Sequence, residues 1–142
     1  MLPIWMGVLI AASGAISLAN VAHAQSTDSA KNDYIRSCAA CHGETGKGDG
    51  PKAKAFKMPP ADLTKLAKSN KGVFPISRVY NVIDGRIEVL THGSRDMPVW
   101  GDIYGRELTV RAPPGMSKEM GEVLVAERIL GLIEYISTLQ EK

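Results

Sequence analysis

Residues 37–50 read SCAACHGETGKGDG. This stretch holds the only two cysteines of the chain, Cys38 and Cys41, with His42 touching the second. Glycines at 43, 46, 48 and 50 follow at once. Three uses fit such a cluster on paper: a redox-active dithiol, half of a zinc site, or an attachment point for something larger.

The rest of the chain narrows the choice. With 142 residues it is long enough for one domain and short for two. No charged side chain precedes Asp28, and Leu2 to Leu18 is mostly apolar or small. Ala22-His23-Ala24 gives a small-x-small signal before Gln25, so residues 1–24 are expected to be a signal peptide cut after Ala24. The competing expectation is an uncleaved anchor, because roughly 20 apolar residues can span a bilayer. Ser13, Gly14, Ser17 and Asn20 dilute the run, which favours export and cleavage. The folded part is then residues 25–142.

In an exported chain a close cysteine pair can oxidise. Disulfide-stapled small domains normally carry four or more cysteines, however, and a bridge closing so small a loop restrains the unfolded chain little. The net charge of +2 is too mild to imply nucleic acid. Its distribution is uneven, with Lys47, Lys52, Lys54, Lys57, Lys65, Lys68 and Lys71 in the segment after the cysteines. Such a patch can steer acidic partners, or simply be a solvated surface.

Helical signals dominate. Asp28 or Ser29 can cap a short helix through Tyr34 and Ile35 to about Ala40, and the glycines from Gly43 onward stop it. One turn is expected near Ala53–Phe56. Asp62 can cap a brief helix from Leu63 to Lys68, and Asn70-Lys71-Gly72 is a turn. Pro75 suits a helix start, with Ile76, Val79, Tyr80 and Ile83 as its apolar stripe and Gly85 as its stop. Residues 86–116, rich in glycine and proline, read mostly as loop. Ser117 then caps the best helix in the chain, with Glu119 and Glu122 near its start. Its apolar face is Val125, Ile129, Leu132, Ile133, Ile136 and Leu139. No strand is convincing. The expected fold class is therefore all-α, with long loops that must surround something.

A dithiol enzyme keeps its nucleophile at a helix amino terminus, whereas this pair falls at a helix end. A structural zinc site wants four ligands, and only His42 and His92 follow Asp28. Cys38-Ala39-Ala40-Cys41-His42 instead reads as covalent c-type haem attachment. A turn of helix brings both thiols to one side, where they can add to the two porphyrin vinyl groups, and His42 becomes the proximal iron ligand. For the opposite face Met58, Met97, Met116 and Met120 are available. Met97 is preferred, because it lies in a loop after a helix, is followed by Pro98, and has Trp100 nearby to pack on the ring edge. His92 is a rival, as imidazole binds ferric iron well. A His/Met pair suits electron transfer.

These motifs resemble those of the class I (monohaem) bacterial cytochromes c across residues 28–141. CAACHG is similar to their attachment motif, GKGDGP to the glycine loop that follows, and MPPADLT to the proline segment on the histidine side. THGSRDMPVWGD resembles the methionine loop, and ILGLIEYISTL the last helix. The stretch 101–118 is longer than in the smallest members. The resemblance implies three main helices around one covalently bound haem c, with the first and last crossing and Tyr135 near Tyr34. It implies that the carbonyl of Pro59 or Pro60 accepts a hydrogen bond from His42. Arg86 and Arg95 are candidates to pair with the haem propionates or to sit on the surface.

The function so implied is periplasmic single-electron transfer to redox partner proteins, and not catalysis on a substrate. The partners are expected to present acidic docking surfaces. Contact with a membrane is expected only if the first segment is uncleaved. Two alternatives are a haem-binding subunit of a larger redox enzyme, and a haem enzyme or ligand sensor with an open distal site.

Overall fold

The computed structural model describes residues 28–86 and 97–141. Helix α1 covers residues 28–37, and a single turn at Cys38 separates it from the short α2, Ala39–His42. Three 3-10 turns follow at Ala53–Ala55, Leu63–Lys65 and Lys68–Asn70. Then come α3 (Ile76–Asp84), α4 (Trp100–Arg111) and α5 (Lys118–Thr138). Among the described residues there is no strand, as an all-α fold requires.

Most boundaries fall where local chemistry puts them. Asp62 accepts the Thr64 N–H at 3.0 Å and so starts its 3-10 turn. Gly85 ends α3 with φ 68°, a conformation that a side chain disfavours, and its N–H returns to the Asn81 carbonyl. Ser117 Oγ accepts the Met120 N–H at 3.2 Å and caps α5.

The first and last helices cross where their residues are small or flat. A Cβ placed on Gly131 would lie 3.8 Å from the Ala30 Cβ, so the two backbones approach closely there. One turn further on, the rings of Tyr34 and Tyr135 sit 5.1 Å apart and tilted by 50°. The expected contact between these tyrosines is therefore present. Val125, Ile129, Leu132, Ile133 and Ile136 of α5 are buried against Tyr34, Val79, Ile83 and Tyr104. The chain end is pinned as well. Gln140 Nε2 donates to the Leu63 carbonyl, Gln140 Oε1 accepts from the Ala67 N–H, and the Glu141 N–H donates to Thr64 O.

Helix α4 overturns the expectation of loop across this region. Trp100, Ile103, Tyr104 and Leu108 recur at helical spacing and pack on the core, with Tyr104 wholly buried. Gly101 is tolerated inside the helix because the helix needs it. A Cβ there would come within 2.4 Å of Asp84 Oδ1 and 2.6 Å of Arg86 Nε. The stretch 101–118 thus becomes a helix laid against the ends of α3 and α5, followed by a short connection.

Candidate functional site

Cys38 and Cys41 flank the first turn of α2, and both are free thiols. Cys38 is buried and Cys41 half-buried. Burial pushes the Cys38 thiol up to about 12, with Asp33 and Cys41 adding to the shift. A redox nucleophile needs the opposite displacement, toward the thiolate. The local electrostatics therefore disfavour a dithiol enzyme.

The glycine-rich loop folds back over the end of this turn. The N–H groups of Lys52, Gly50 and Gly48 donate to the carbonyls of Ala40, Cys41 and His42, at 2.8, 3.1 and 2.8 Å. Three carbonyls that a helix end would leave unpaired are satisfied in this way. Gly50 cannot be replaced without moving backbone, because a Cβ there would lie 2.5 Å from Ala39 O and 2.6 Å from Ala40 O.

The His42 ring is oriented from the far side of that loop. Its Nδ1 lies 2.9 Å from the Ala61 carbonyl oxygen. A carbonyl only accepts, so Nδ1 carries the proton and Nε2 keeps its lone pair. Burial lowers the His42 pKa, against the opposing pull of the Ala61 bond, and favours the neutral ring. The expected partner was Pro59 or Pro60, and the acceptor is instead the next residue. The reason lies in the anchoring of this segment. The Leu63 N–H donates to Gly46 O at 2.7 Å. Asp62 is held by Thr64 and by Lys65 Nζ at 2.8 Å. Hydrogen bonds from Lys65 and Thr64 bring the Asp62 carboxyl down to about 2. These contacts fix Ala61 O rather than a proline carbonyl opposite the ring.

Of the four methionines considered, Met97 is half-buried and packs against the core immediately before α4. Met58 and Met120 are largely exposed, and Met116 lies beside Gly121 at the start of α5. Trp100 stacks on Tyr104 at a centroid distance of 5.4 Å. His92 and Arg95 lie outside the described residues. Arg86 is committed elsewhere, with Nε and Nη2 on Asp84 Oδ1 at 2.9 and 2.8 Å and Nη1 on Glu122 Oε2 at 2.6 Å. Of the two expectations for Arg86, the surface position agrees with the structure, where it is exposed and ties α3 to α5.

Two residues of the site escaped the sequence reading, Ala61 and Tyr34. The Tyr34 hydroxyl donates to the Gly43 carbonyl at 2.7 Å, just past the motif. Its one signal in the sequence was its place one helical turn before Cys38.

The donor set fits a c-type haem: two free thiols on one turn, a neutral imidazole anchored through Nδ1, and a thioether held against the core. An all-α frame with this motif between its crossing first and last helices defines a c-type cytochrome. Residues 25–110 match the family described as cytochrome c oxidase, cbb3-type, subunit III, and the chain belongs to that family. Membership brings a covalently bound c-type haem with its iron, and haem-based electron transfer. The match ends within α4, so α5 lies beyond it. Comparison with curated proteins gave no match, and neither did comparison with solved structures.

Proposed function

We propose that the protein is a periplasmic electron-transfer cytochrome whose haem is held by thioethers from Cys38 and Cys41. In this reading His42 and Met97 are the axial ligands. The observation that carries it is the His42–Ala61 hydrogen bond, which leaves Nε2 as the one ring nitrogen with a free lone pair. A backbone acceptor fixes ring orientation and raises ligand basicity. When bound, the haem supplies a one-electron couple between ferric and ferrous iron. The chain's part is to hold the ligands, exclude water and present a surface for encounter. Residues 1–24 act as a cleaved export signal in this reading, and the domain is 25–142. With His42 and Met97 both holding the iron, no position would be left for a substrate, and in this reading the protein would transfer electrons without being an enzyme by itself.

The family's printed name supports a second reading, a haem subunit docked in a larger oxidase. The two readings share their site and differ in partner. Among the described residues no helix is long and apolar enough to cross a membrane.

The attachment is tested by denaturing the purified holoprotein and extracting it with acid–acetone. Haem stays on the wild-type chain and is lost from a variant with Cys38→Ala and Cys41→Ala combined. Covalent haem retained by that double variant refutes the reading.

A further inference from the structure

Tyr34 touches the CxxCH turn at both ends. Its carbonyl accepts the Cys38 N–H at 2.8 Å. Its hydroxyl reaches past the motif and donates to Gly43 O at 2.7 Å. One residue therefore brackets residues 38–43, its backbone holding the first cysteine and its side chain the residue after the histidine. The ring between these two contacts is wholly buried and packs on Tyr135, so it has no freedom to follow the turn if the turn moves. Within the bracket, the His42 carbonyl is held by the Gly48 N–H.

We propose that Tyr34 is a positioning residue for His42. Its hydroxyl locks the end of the attachment turn to the α1–α5 crossing and so fixes the backbone from which the imidazole projects. The inference rests on the reading that Cys38, Cys41 and His42 hold the haem. It assigns to a phenolic oxygen a task that ring packing alone cannot perform. A phenylalanine at 34 would keep the aromatic contact with Tyr135 and leave the buried Gly43 carbonyl with only the longer bond from the Gly46 N–H, at 3.2 Å. A buried acceptor that loses its shorter bond favours local opening.

The test compares the Tyr34→Phe holoprotein with wild type and with Ile129→Val, a mild change to a fully buried core residue. Amide hydrogen exchange and the reduction potential are read in all three. In Tyr34→Phe the Gly48 N–H, whose acceptor is His42 O, exchanges about tenfold faster, the amides of Leu132 and Ile133 keep their rates, and the potential shifts. In Ile129→Val the core amides respond, and the Gly48 amide and the potential do not. An unchanged Gly48 rate in Tyr34→Phe overturns the proposal. So does acceleration by one common factor at every protected amide, since that reports general loss of stability. If Tyr34→Phe accumulates without covalent haem while Ile129→Val retains it, the proposal is upheld. If both lose haem, Tyr34 serves only the fold. A wild-type chain without covalent haem refutes the attachment reading itself, and the Gly48 exchange comparison still decides the clamp.

Discussion

Arg128 of α5 meets Asp33 of α1 through two hydrogen bonds, Nε to Oδ2 at 3.0 Å and Nη2 to Oδ1 at 3.2 Å. The third nitrogen, Nη1, donates to Glu107 of α4 at 2.7 Å, and the guanidinium lies 3.9 Å above the Tyr104 ring. A planar fork can serve a carboxylate and an aromatic face at once, which an ammonium cannot do as well. One side chain thus joins three helices at the edge of the core. Both Arg128 and Asp33 are mostly covered, at 23% and 14% side-chain exposure, so screening by water is partial.

Arg128→Met keeps much of the stem and removes the charge. Asp33 retains Arg36 as a partner, which limits the damage. The expected loss is about 2 kcal/mol, the order found for hydrogen bonds to charged groups. Denaturant unfolding of the holoprotein measures it, and a loss below about 0.5 kcal/mol would place the pair among ordinary surface ion pairs.

The helix crossing gives a second expectation. Tyr135 packs on Tyr34 and is buried, so Tyr135→Ala should cost about 3 kcal/mol or more, the usual order for deleting a buried ring. Tyr135→Phe keeps the ring contact and should cost much less. Near-equal losses in the two variants would show that the ring contact contributes little.

These contacts mark how far the sequence could be read. Helices α3 and α5 were legible because their stops and starts are chemical: Gly85 in a left-handed conformation, and Ser117 with a hydroxyl that caps the first turn. Helix α4 was not, because Gly101 and Gly105 carry the local signal of loop punctuation. Gly101 is a packing residue, present because α4 presses on Asp84 and Arg86. The need for it exists only once α3 and α4 are side by side, and no local pattern records that. The same holds for Arg86. Asp84 lies only two residues before it, but Glu122 is on α5, so the tie between helices could not be assigned from its neighbours in the chain. The CxxCH motif was legible because its chemistry is local. The carbonyl that holds its histidine was missed by one residue, because loop register depends on the Gly46–Leu63 hydrogen bond.

If Met97 is the axial ligand as proposed, Met97→Ala should abolish the weak near-infrared thioether-to-ferric-iron band and lower the reduction potential, since a ligand favouring ferrous iron would be lost. Met58→Ala should leave both unchanged, in keeping with the 70% exposure of Met58. If the band survives in Met97→Ala and disappears in Met58→Ala, the ligand must be reassigned. High-spin iron in the wild type would favour an open distal site.

Partner encounter is the last expectation. Lys47, Lys52, Lys54, Lys57, Lys65, Lys68 and Lys71 are all exposed. Lys65 is paired with Asp62, and Lys68 approaches Glu141 at 4.0 Å. Lys52, Lys54 and Lys57 cluster around the 3-10 turn Ala53–Ala55, beside the exposed Met58. That turn continues directly from the loop that caps the motif, so its charges lie close in sequence to the histidine side. A transient electron-transfer complex needs fast encounter more than tight binding, and long-range attraction to an acidic surface provides it. Reduction by the physiological partner should therefore slow as salt rises, because exposed charges are screened within about 10 Å at 0.1 M. Reversing the charges of Lys52, Lys54 and Lys57 to Glu should slow it further at low salt and flatten the salt dependence. Stopped-flow rates across a salt series decide the matter. If the triple variant reacts at the wild-type rate throughout, these lysines only keep the surface solvated, and the partner docks elsewhere.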